Sequence, residues 1–449
     1  MAAYCAVHVT GLDANRTIKD ELTAAMMRRS ARRRISVTDL VNPRQSYFAR
    51  TNPEIQPSAD RIQLMMAGTG FHELFGRAVA GEEFVEQLVE FEEIVGKIDI
   101  FDDAPLELKT TSSIPTDALV QRPGHVEQLA MYCVMVRRPA GHLVYYRRAE
   151  FGREPGLAAY DVEVSDAAHI TREMVRRRDV FRHALASGDP TLLPRCEWHG
   201  RDCAYEAICG CADAPAVARM VSDTTVRLRQ NPGLVKDLRT RIDAVENQED
   251  TRRTFLNDLV FPRKAAYRLT ASGEAADDED TETRMADLER RGFEDTLKDA
   301  IWYGTPGACK RVRVAFGPIR ASVLLYKGIP TLLRTTRRRE MIPRDRVVAE
   351  APHYIDRIGF ECALIGSDRG RIVVYYSSVP GDKFMVYDLW FKDLAGVTVE
   401  MQRRLQLLEA GAPPGELPAC QPAWMSRFCK FASTCGCGSQ EAVRQAMHE

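Results

Sequence analysis

Asp99, Glu107 and Lys109 are the residues whose types and spacing most directly permit chemistry. Glu107 and Lys109 lie two apart in the β-prone run Leu106–Thr110, so their side chains leave one face of a strand. Asp99 lies in the preceding β-prone run, Val95-Gly96-Lys97-Ile98-Asp99-Ile100, and can join them from the partner strand. Two hard carboxylates, with the Leu108 carbonyl as a third oxygen, suit Mg²⁺ or Mn²⁺. Such a cation polarises a phosphoryl oxygen and lowers the pKa of an attacking water. A lysine beside it positions or deprotonates that water and offsets the charge developing on phosphorus. The same three types also make an ordinary surface ion pair of little worth, so their surroundings decide.

The elements that must position them are legible. Residues 60–90 show helical spacing of apolar positions (Ile62, Met65, Met66, Leu74, Phe75, Val85, Leu88, Val89), interrupted by Gly68, Gly70, Gly76 and Gly81. Two strands follow, Glu93–Phe101 and Leu106–Thr110, joined by the turn-forming Asp102-Asp103-Ala104-Pro105. A helix over 121–136 and a strand at 143–147 complete an α/β domain with a mixed sheet.

Four motifs stand in order over about 60 residues: Gly68-Thr69-Gly70-Phe71-His72, Gly96-Lys97-Ile98-Asp99, Glu107-Leu108-Lys109 and Gln128-Leu129-Ala130-Met131-Tyr132. In this the chain resembles the PD-(D/E)XK nucleases, specifically the RecB-like branch that includes the CRISPR-associated adaptation exonucleases and the AddB-type enzymes. The resemblance implies a restriction-endonuclease-like fold and a metal-dependent DNA nuclease, an exonuclease preferring single-stranded ends. It implies His72 as a ligand or neighbour of the metal held by Asp99 and Glu107. Gln128 and Tyr132, one helical turn apart, would touch the scissile nucleotide or steady Lys109. RNA is a second substrate that the same residues would serve.

The chain also reads as a tandem duplication, because separate blocks recur in the same order. Asp39-Leu40-Val41-Asn42-Pro43-Arg44 returns as Asp258-Leu259-Val260-Phe261-Pro262-Arg263, and Val144-Tyr145-Tyr146 as Val374-Tyr375-Tyr376. The expected organisation is an active domain at 1–213, a helical linker at 214–250 and a degenerate domain at 251–449. In the second copy Glu294 stands for His72, Leu324 for Asp99, Leu332 for Glu107 and Arg334 for Lys109. Leucines hold no hard metal, so that copy is expected to be inactive.

Eight of the twelve cysteines fall in two clusters, Cys196, Cys203, Cys209, Cys211 and Cys420, Cys429, Cys435, Cys437. Four thiolates so close together can close a tetrahedral metal site at the end of each domain. The RecB-like branch holds a 4Fe-4S cluster with three such cysteines and one distant cysteine ahead of a Pro-Arg pair. Here Asn42 and Phe261 occupy that distant position, and Cys211 and Cys437 are the local replacements. A set of four thiolates suits iron–sulfur and Zn²⁺ alike. His199 is a substitute ligand candidate in the first cluster only.

At 449 residues and 45% apolar content the chain holds two or three ordinary domains. It has no apolar run long enough to span a bilayer and no secretion-signal core in its first 30 residues, so an intracellular location is the expectation. The net charge of −1 does not of itself call for a polyanion, but arginines cluster at Arg28–Arg34 and Arg337–Arg339. Arg33, Arg34 and Arg44 are expected at nucleic-acid phosphates. A non-catalytic nucleic-acid-binding scaffold is the alternative, and it would bind with strong salt dependence without cutting.

Overall fold

The structure, a computed structural model, describes residues 4–27, 34–148, 155–197, 203–246, 253–270, 281–305, 307–336, 338–423, 425, 429 and 431–437. Its strands are β1 (Val9–Ala14), β2 (Ile35–Ser36), β3 (Val85–Phe91), β4 (Ile94–Phe101), β5 (Pro105–Thr111), β6 (Ala140–Arg147), β7 (Gly156–Val164), β8 (Val226–Gln230), β9 (Cys309–Phe316), β10 (Ile319–Tyr326), β11 (Ile329–Thr336), β12 (Arg369–Tyr376) and β13 (Phe384–Phe391). They form two mixed sheets flanked by helices, the α/β class read from the sequence. Among the described residues no helix is long and apolar enough to cross a membrane.

Two compact units divide the chain, and neither is continuous in sequence. The first comprises Arg29–Gln248 and Asp280–Thr296; the second comprises Met1–Arg28, Glu249–Glu279 and Leu297–Glu449. In the first, the strand order is β2-β4-β5-β6-β7-β8, with β3 also on β4. The β5–β6 and β2–β4 pairs are parallel and the rest antiparallel. In the second, the order is β1-β13-β12-β11-β10-β9, parallel only at β11–β12. Strands β3 to β7 correspond in order to β9 to β13, as the duplication requires.

Residues 214–250 are not the linker expected from sequence. Val226–Gln230 is the edge strand of the first unit, paired through Tyr160↔Gln230 to Val164↔Val226. The helix Pro232–Glu246 buries Leu238 and Ile242 in the same apolar cluster as Phe71, Phe75 and Leu108. The matching pieces of the second unit are β1, paired with β13, and the helix Arg16–Met27. Each copy of the repeat therefore begins with a strand and a helix, and each such leader completes the sheet of the unit built by the other copy. Helical periodicity alone reads such a leader as a spacer, because its partner strand lies about 65 residues back or about 377 ahead.

A buried ion pair pins each leader. In the first unit Arg177 donates to Glu127 Oε2 at 2.7 Å and to the Leu40 carbonyl at 3.2 Å, while Glu127 Oε1 accepts the Met220 N–H at 2.7 Å. In the second, Arg404 donates to the Leu259 carbonyl at 2.8 Å and approaches Asp356 Oδ2 at 3.4 Å, while Asp356 Oδ1 accepts the Cys5 N–H at 2.8 Å. Arg404 and Glu127 are almost wholly buried, so these charges persist only because each is paired and hydrogen-bonded.

The helix Ala59–Ala80 begins at Ser58, whose hydroxyl accepts the Arg61 N–H, and ends at Gly81 with φ +99°. It crosses the helix Thr281–Gly304 backbone to backbone: a Cβ on Gly70 would sit 2.0 Å from the Gly292 oxygen, and both positions must be glycine. The acidic stretch 274–282 lies mostly outside the described residues.

This arrangement fixes an expected result for truncation. A fragment of residues 29–213 loses β8, Leu238, Ile242 and Met285, and so leaves β7 as an open edge above a breached core. It should be recovered as aggregate, whereas residues 29–296 should give a soluble species with cooperative urea unfolding. Equal solubility and midpoint for both would refute the leader assignment.

Candidate active site

Strands β4 and β5 pair only at Ile100↔Leu106 and Phe101↔Pro105, next to the turn, and then part. Asp99 lies at the point of parting, and its Oδ2 accepts the Leu108 N–H at 2.8 Å in place of a ladder bond. On the other side of β4, Glu86 stands opposite Asp99 with φ +54°, a strained backbone for a residue with a side chain. Leu106 and Leu108 point into one apolar cluster, so Glu107 and Lys109 project from the opposite face. The side chain of Glu107 is only 3% exposed.

The four motifs of the sequence come together here. His72 Nδ1 lies 3.2 Å from Asp99 Oδ1. Lys109 Nζ donates to Glu107 Oε1 at 2.5 Å and to Gln128 Oε1 at 2.9 Å. Gln128 Nε2 donates to the Tyr132 oxygen at 3.1 Å, which orients the amide with its carbonyl toward the lysine. Gln128 and Tyr132 share a face of the helix Pro123–Met135, whose first residue is proline. The absence of a side chain at Gly96 lets the Tyr132 ring rest on β4: a Cβ there would meet the ring at 2.7 Å. Gly96→Ala should therefore destabilise the first unit by about 1–3 kcal/mol and displace Tyr132. Urea denaturation and tyrosine fluorescence check this, and an unshifted midpoint would refute it.

Electrostatics separate the two carboxylates. Burial, reinforced by the nearby Asp99 charge, raises the Glu107 carboxyl to about 7 against the pull of Lys109. Burial also works against ionisation of Asp99, but His72, Lys109 and the Leu108 N–H together hold it below its ordinary value. Burial and the Glu107 charge keep the Tyr132 hydroxyl well above its usual range, and therefore neutral.

Two observations test these residues against a hard divalent cation. Glu107 Oε2 and His72 Nε2 are buried and make no hydrogen bond. A carboxyl oxygen left without a donor beside an ionised carboxylate suits Mg²⁺ and Mn²⁺, since these ions bind through one or two carboxylates and keep waters or phosphates as their other ligands. Among the described residues, no group of three or more His, Cys, Asp or Glu side chains is already gathered around a metal position.

His125 is the functional candidate that the sequence motifs missed. It is held well below its usual pKa by burial and then by Lys109 and Arg122, and its Nδ1 lies 3.1 Å from the Tyr145 hydroxyl. Three residues before Gln128 on the same helix, it was marked only by that i, i+3 spacing.

The second unit keeps the strand frame but not the residue types. The turn between β10 and β11 has two residues, Lys327 and Gly328, both with positive φ, where the first unit has three. Leu325 consequently pairs with Pro330, one register step from the pairing of Ile100 with Leu106. Arg357 donates to Glu361 at 2.7 Å, where Gln128 and Tyr132 stand in the first unit. Glu294, aligned with His72, belongs to the first unit and not to the site of its own copy.

Arg44 is corrected from a phosphate ligand to a structural residue. It is 6% exposed and donates to the carbonyls of Leu193 at 2.7 Å and Cys209 at 2.6 Å. Arg263 repeats this toward Leu417 and Cys435. Arg34 forms an ion pair with Glu90, and Arg338 with Glu350. Arg33 and Arg337, like His199, lie outside the described residues.

Both cysteine clusters sit at a helix N-terminus. Cys196 Sγ accepts the Gln45 N–H of the helix Pro43–Thr51 at 3.2 Å, and Cys420 takes the Lys264 N–H of the helix Pro262–Thr270. All eight thiols are free. Cys211 is drawn down to about 5, first by its hydrogen bond with Cys196, against which burial acts, and then by Cys209 and Arg44. Cys437 reaches about 5 in the same way through Cys420, Cys435 and Arg263. In each cluster one thiol is thus drawn toward ionisation, Cys211 beside the buried Arg44 and Cys437 beside the half-buried Arg263. Asn42 Oδ1, at the N-cap of the first of these helices, is buried and without a partner.

No model of a known protein family matches the chain, and no curated protein matches it. A solved structure titled "Crystal structure of SSO0001" is similar with a TM-score of 0.30 at 16% identity, over 46% of this chain and 96% of that one. A likeness at that level assigns no function.

Proposed function

We propose that the first unit is a divalent-metal-dependent nuclease of the restriction-endonuclease-like, RecB-like type, cutting DNA from single-stranded ends, and that the second unit is its inactive copy. The observation that carries the reading is the joining of His72, Asp99, Glu107, Lys109, Gln128 and Tyr132 at the parting of β4 and β5. A surface ion pair needs none of this. It requires neither a carboxyl oxygen buried without a donor nor a glycine reserved for the tyrosine.

Asp99, Glu107 and His72 would hold Mg²⁺ or Mn²⁺, which supplies Lewis-acid polarisation of the scissile phosphate and a water of lowered pKa. Lys109 is fixed by two acceptors and keeps a third N–H for that water or for a phosphate oxygen. Its charge would offset the negative charge developing on the phosphate. Gln128 holds the lysine, and Tyr132 holds Gln128.

Purified protein should degrade 5′- or 3′-labelled single-stranded DNA with Mg²⁺ or Mn²⁺ and stop when EDTA is added. Binding without cleavage under either metal would replace this reading with that of a nucleic-acid-binding scaffold. Competition with an RNA of the same sequence separates the two substrates.

The cysteine clusters, in the same reading, each take a 4Fe-4S cluster or Zn²⁺ that fastens the end of a repeat to the Pro-Arg helix. Protein purified without air should therefore contain close to two clusters or two zinc ions per chain. Visible absorbance with metal analysis distinguishes them. A chain with neither, whose melting temperature is unmoved by chelators, would remove the metal from the proposal.

A further inference from the structure

In the second unit a change of charge accompanies the replacement of Asp99 by Leu324, on the β9–β10 face that carries Leu324. The β9–β10 ladder is continuous from Ile319↔Phe316 to Tyr326↔Cys309. Opposed residues of an antiparallel pair share a face, so Arg311 lies with Leu324, Arg313 with Ser322 and Arg320 with Ala315. Leu324 is the counterpart of Asp99, and this is the face that carries Asp99 in the first unit. There the equivalent positions are Glu86, Leu88 and Val95, and Glu86 is paired with Lys97. Three positions holding one acid and two apolar residues have become three arginines.

All three arginines are exposed, as is Ser322. Among the described residues no carboxylate pairs with any of them; Arg320 donates only to the Gly317 and Ile319 carbonyls of its own turn. Much of the arginine in this chain is otherwise matched with acids, as at Arg34, Arg338, Arg346, Arg357 and Arg369. Strand β9 is also the outer strand of its sheet, so the surface is open along one side. Arg311 and Arg313 are two residues apart, roughly 7 Å, and Arg320 lies on the diagonal from Arg313 at a similar step. A row of unpaired guanidiniums at that spacing suits a flexible polyanion, and the hydrogen-bonding fork of each suits a phosphate.

We propose that the outward face of the β9–β10 hairpin, through Arg311, Arg313 and Arg320, binds the phosphate backbone of single-stranded nucleic acid and so converts the inactive copy into a substrate-holding module. The proposal rests on the nuclease reading for its biological sense but not for its test. A surface that neutralises three phosphates of a single strand releases counterions with a slope of about −2 in log K against log salt.

The test measures anisotropy of a fluorescent 20-nucleotide single-stranded DNA in EDTA, between roughly 50 and 200 mM salt, with the full-length Glu107→Gln chain and with the same chain carrying Arg311→Glu, Arg313→Glu and Arg320→Glu. The expected result is at least a tenfold loss of affinity at the lowest salt and a slope shallower by about two, with an unchanged circular dichroism spectrum. Equal affinity and slope overturn the proposal. Should the triple variant not fold, arginine modification by phenylglyoxal in the unsubstituted chain decides instead. Protection of Arg311 and Arg313 by the oligonucleotide supports the site, and unaltered labelling removes it. A chain that binds through the hairpin yet never cuts DNA leaves this proposal standing while ending the nuclease reading.

Discussion

Glu107→Gln should abolish metal-dependent cleavage, by roughly 10³-fold or more, and at the same time make the metal-free protein more stable at pH 8. The first effect follows because glutamine offers no anionic oxygen at the position where Glu107 Oε2 is buried without a donor. The second follows from the Glu107 carboxyl being raised from 4.5 to about 7. A raised acid binds its proton more tightly in the folded state than in the unfolded state. Between pH 4.5 and 7 the folded chain therefore carries the extra proton, and stability falls as pH rises through that window. Below it the residue costs nothing; above it the cost is about 3 kcal/mol, from some 2.5 pKa units at 1.36 kcal/mol each. Glutamine cannot ionise, and its carbonyl can still accept from Lys109. The melting temperature of the variant in EDTA should exceed that of the parent at pH 8 and match it near pH 4.5. Saturating Mg²⁺ should raise the melting temperature of the parent only. Retained cleavage in the variant would end the active-site assignment, and a stability difference independent of pH would end the electrostatic account of Glu107.

Arg404→Met should cost the second unit about 3–5 kcal/mol. Arg404 has no exposed surface and donates at once to Glu400, to the Leu259 carbonyl and toward Asp356. Its removal leaves Asp356, already raised by burial, and Glu400 without their shared cation. The consequence should travel to the leader, because Asp356 is also the acceptor of the Cys5 N–H. Urea denaturation should show the loss, and amide exchange should accelerate across β1. Adding Asp356→Leu should recover part of the stability, since an apolar pair replaces the orphaned acid. Loss of stability without faster exchange in β1 would show that Arg404 does not hold the leader.

The local parts of the site were readable in advance, because each rests on short-range geometry. The two-residue spacing of Glu107 and Lys109 puts them on one strand face, and the four-residue spacing of Gln128 and Tyr132 puts them on one helix face. The Asp-Asp-Ala-Pro turn folds β4 back on β5. The sequence also showed blocks recurring in the same order, with Leu324 and Leu332 at the positions aligned with Asp99 and Glu107. Arg44 was misread for want of the same long-range information: a Pro-Arg pair looks alike whether the guanidinium meets a phosphate or the carbonyls of Leu193 and Cys209, 149 and 165 residues away.

By itself, then, the sequence determined the α/β class and showed the recurring blocks, and it singled out the residues of the first half whose types suit the proposed chemistry, since periodicity and residue type are enough for each. Only the tertiary structure decided which copy's leader completes which sheet. Hydrogen bonding along a strand edge is indifferent to the chain that supplies it, and either copy's leader offers the same alternation of side chains. Tertiary structure likewise decided that β4 and β5 part at Asp99, so that a carboxylate takes the Leu108 amide and Glu107 is left with one buried oxygen unmatched.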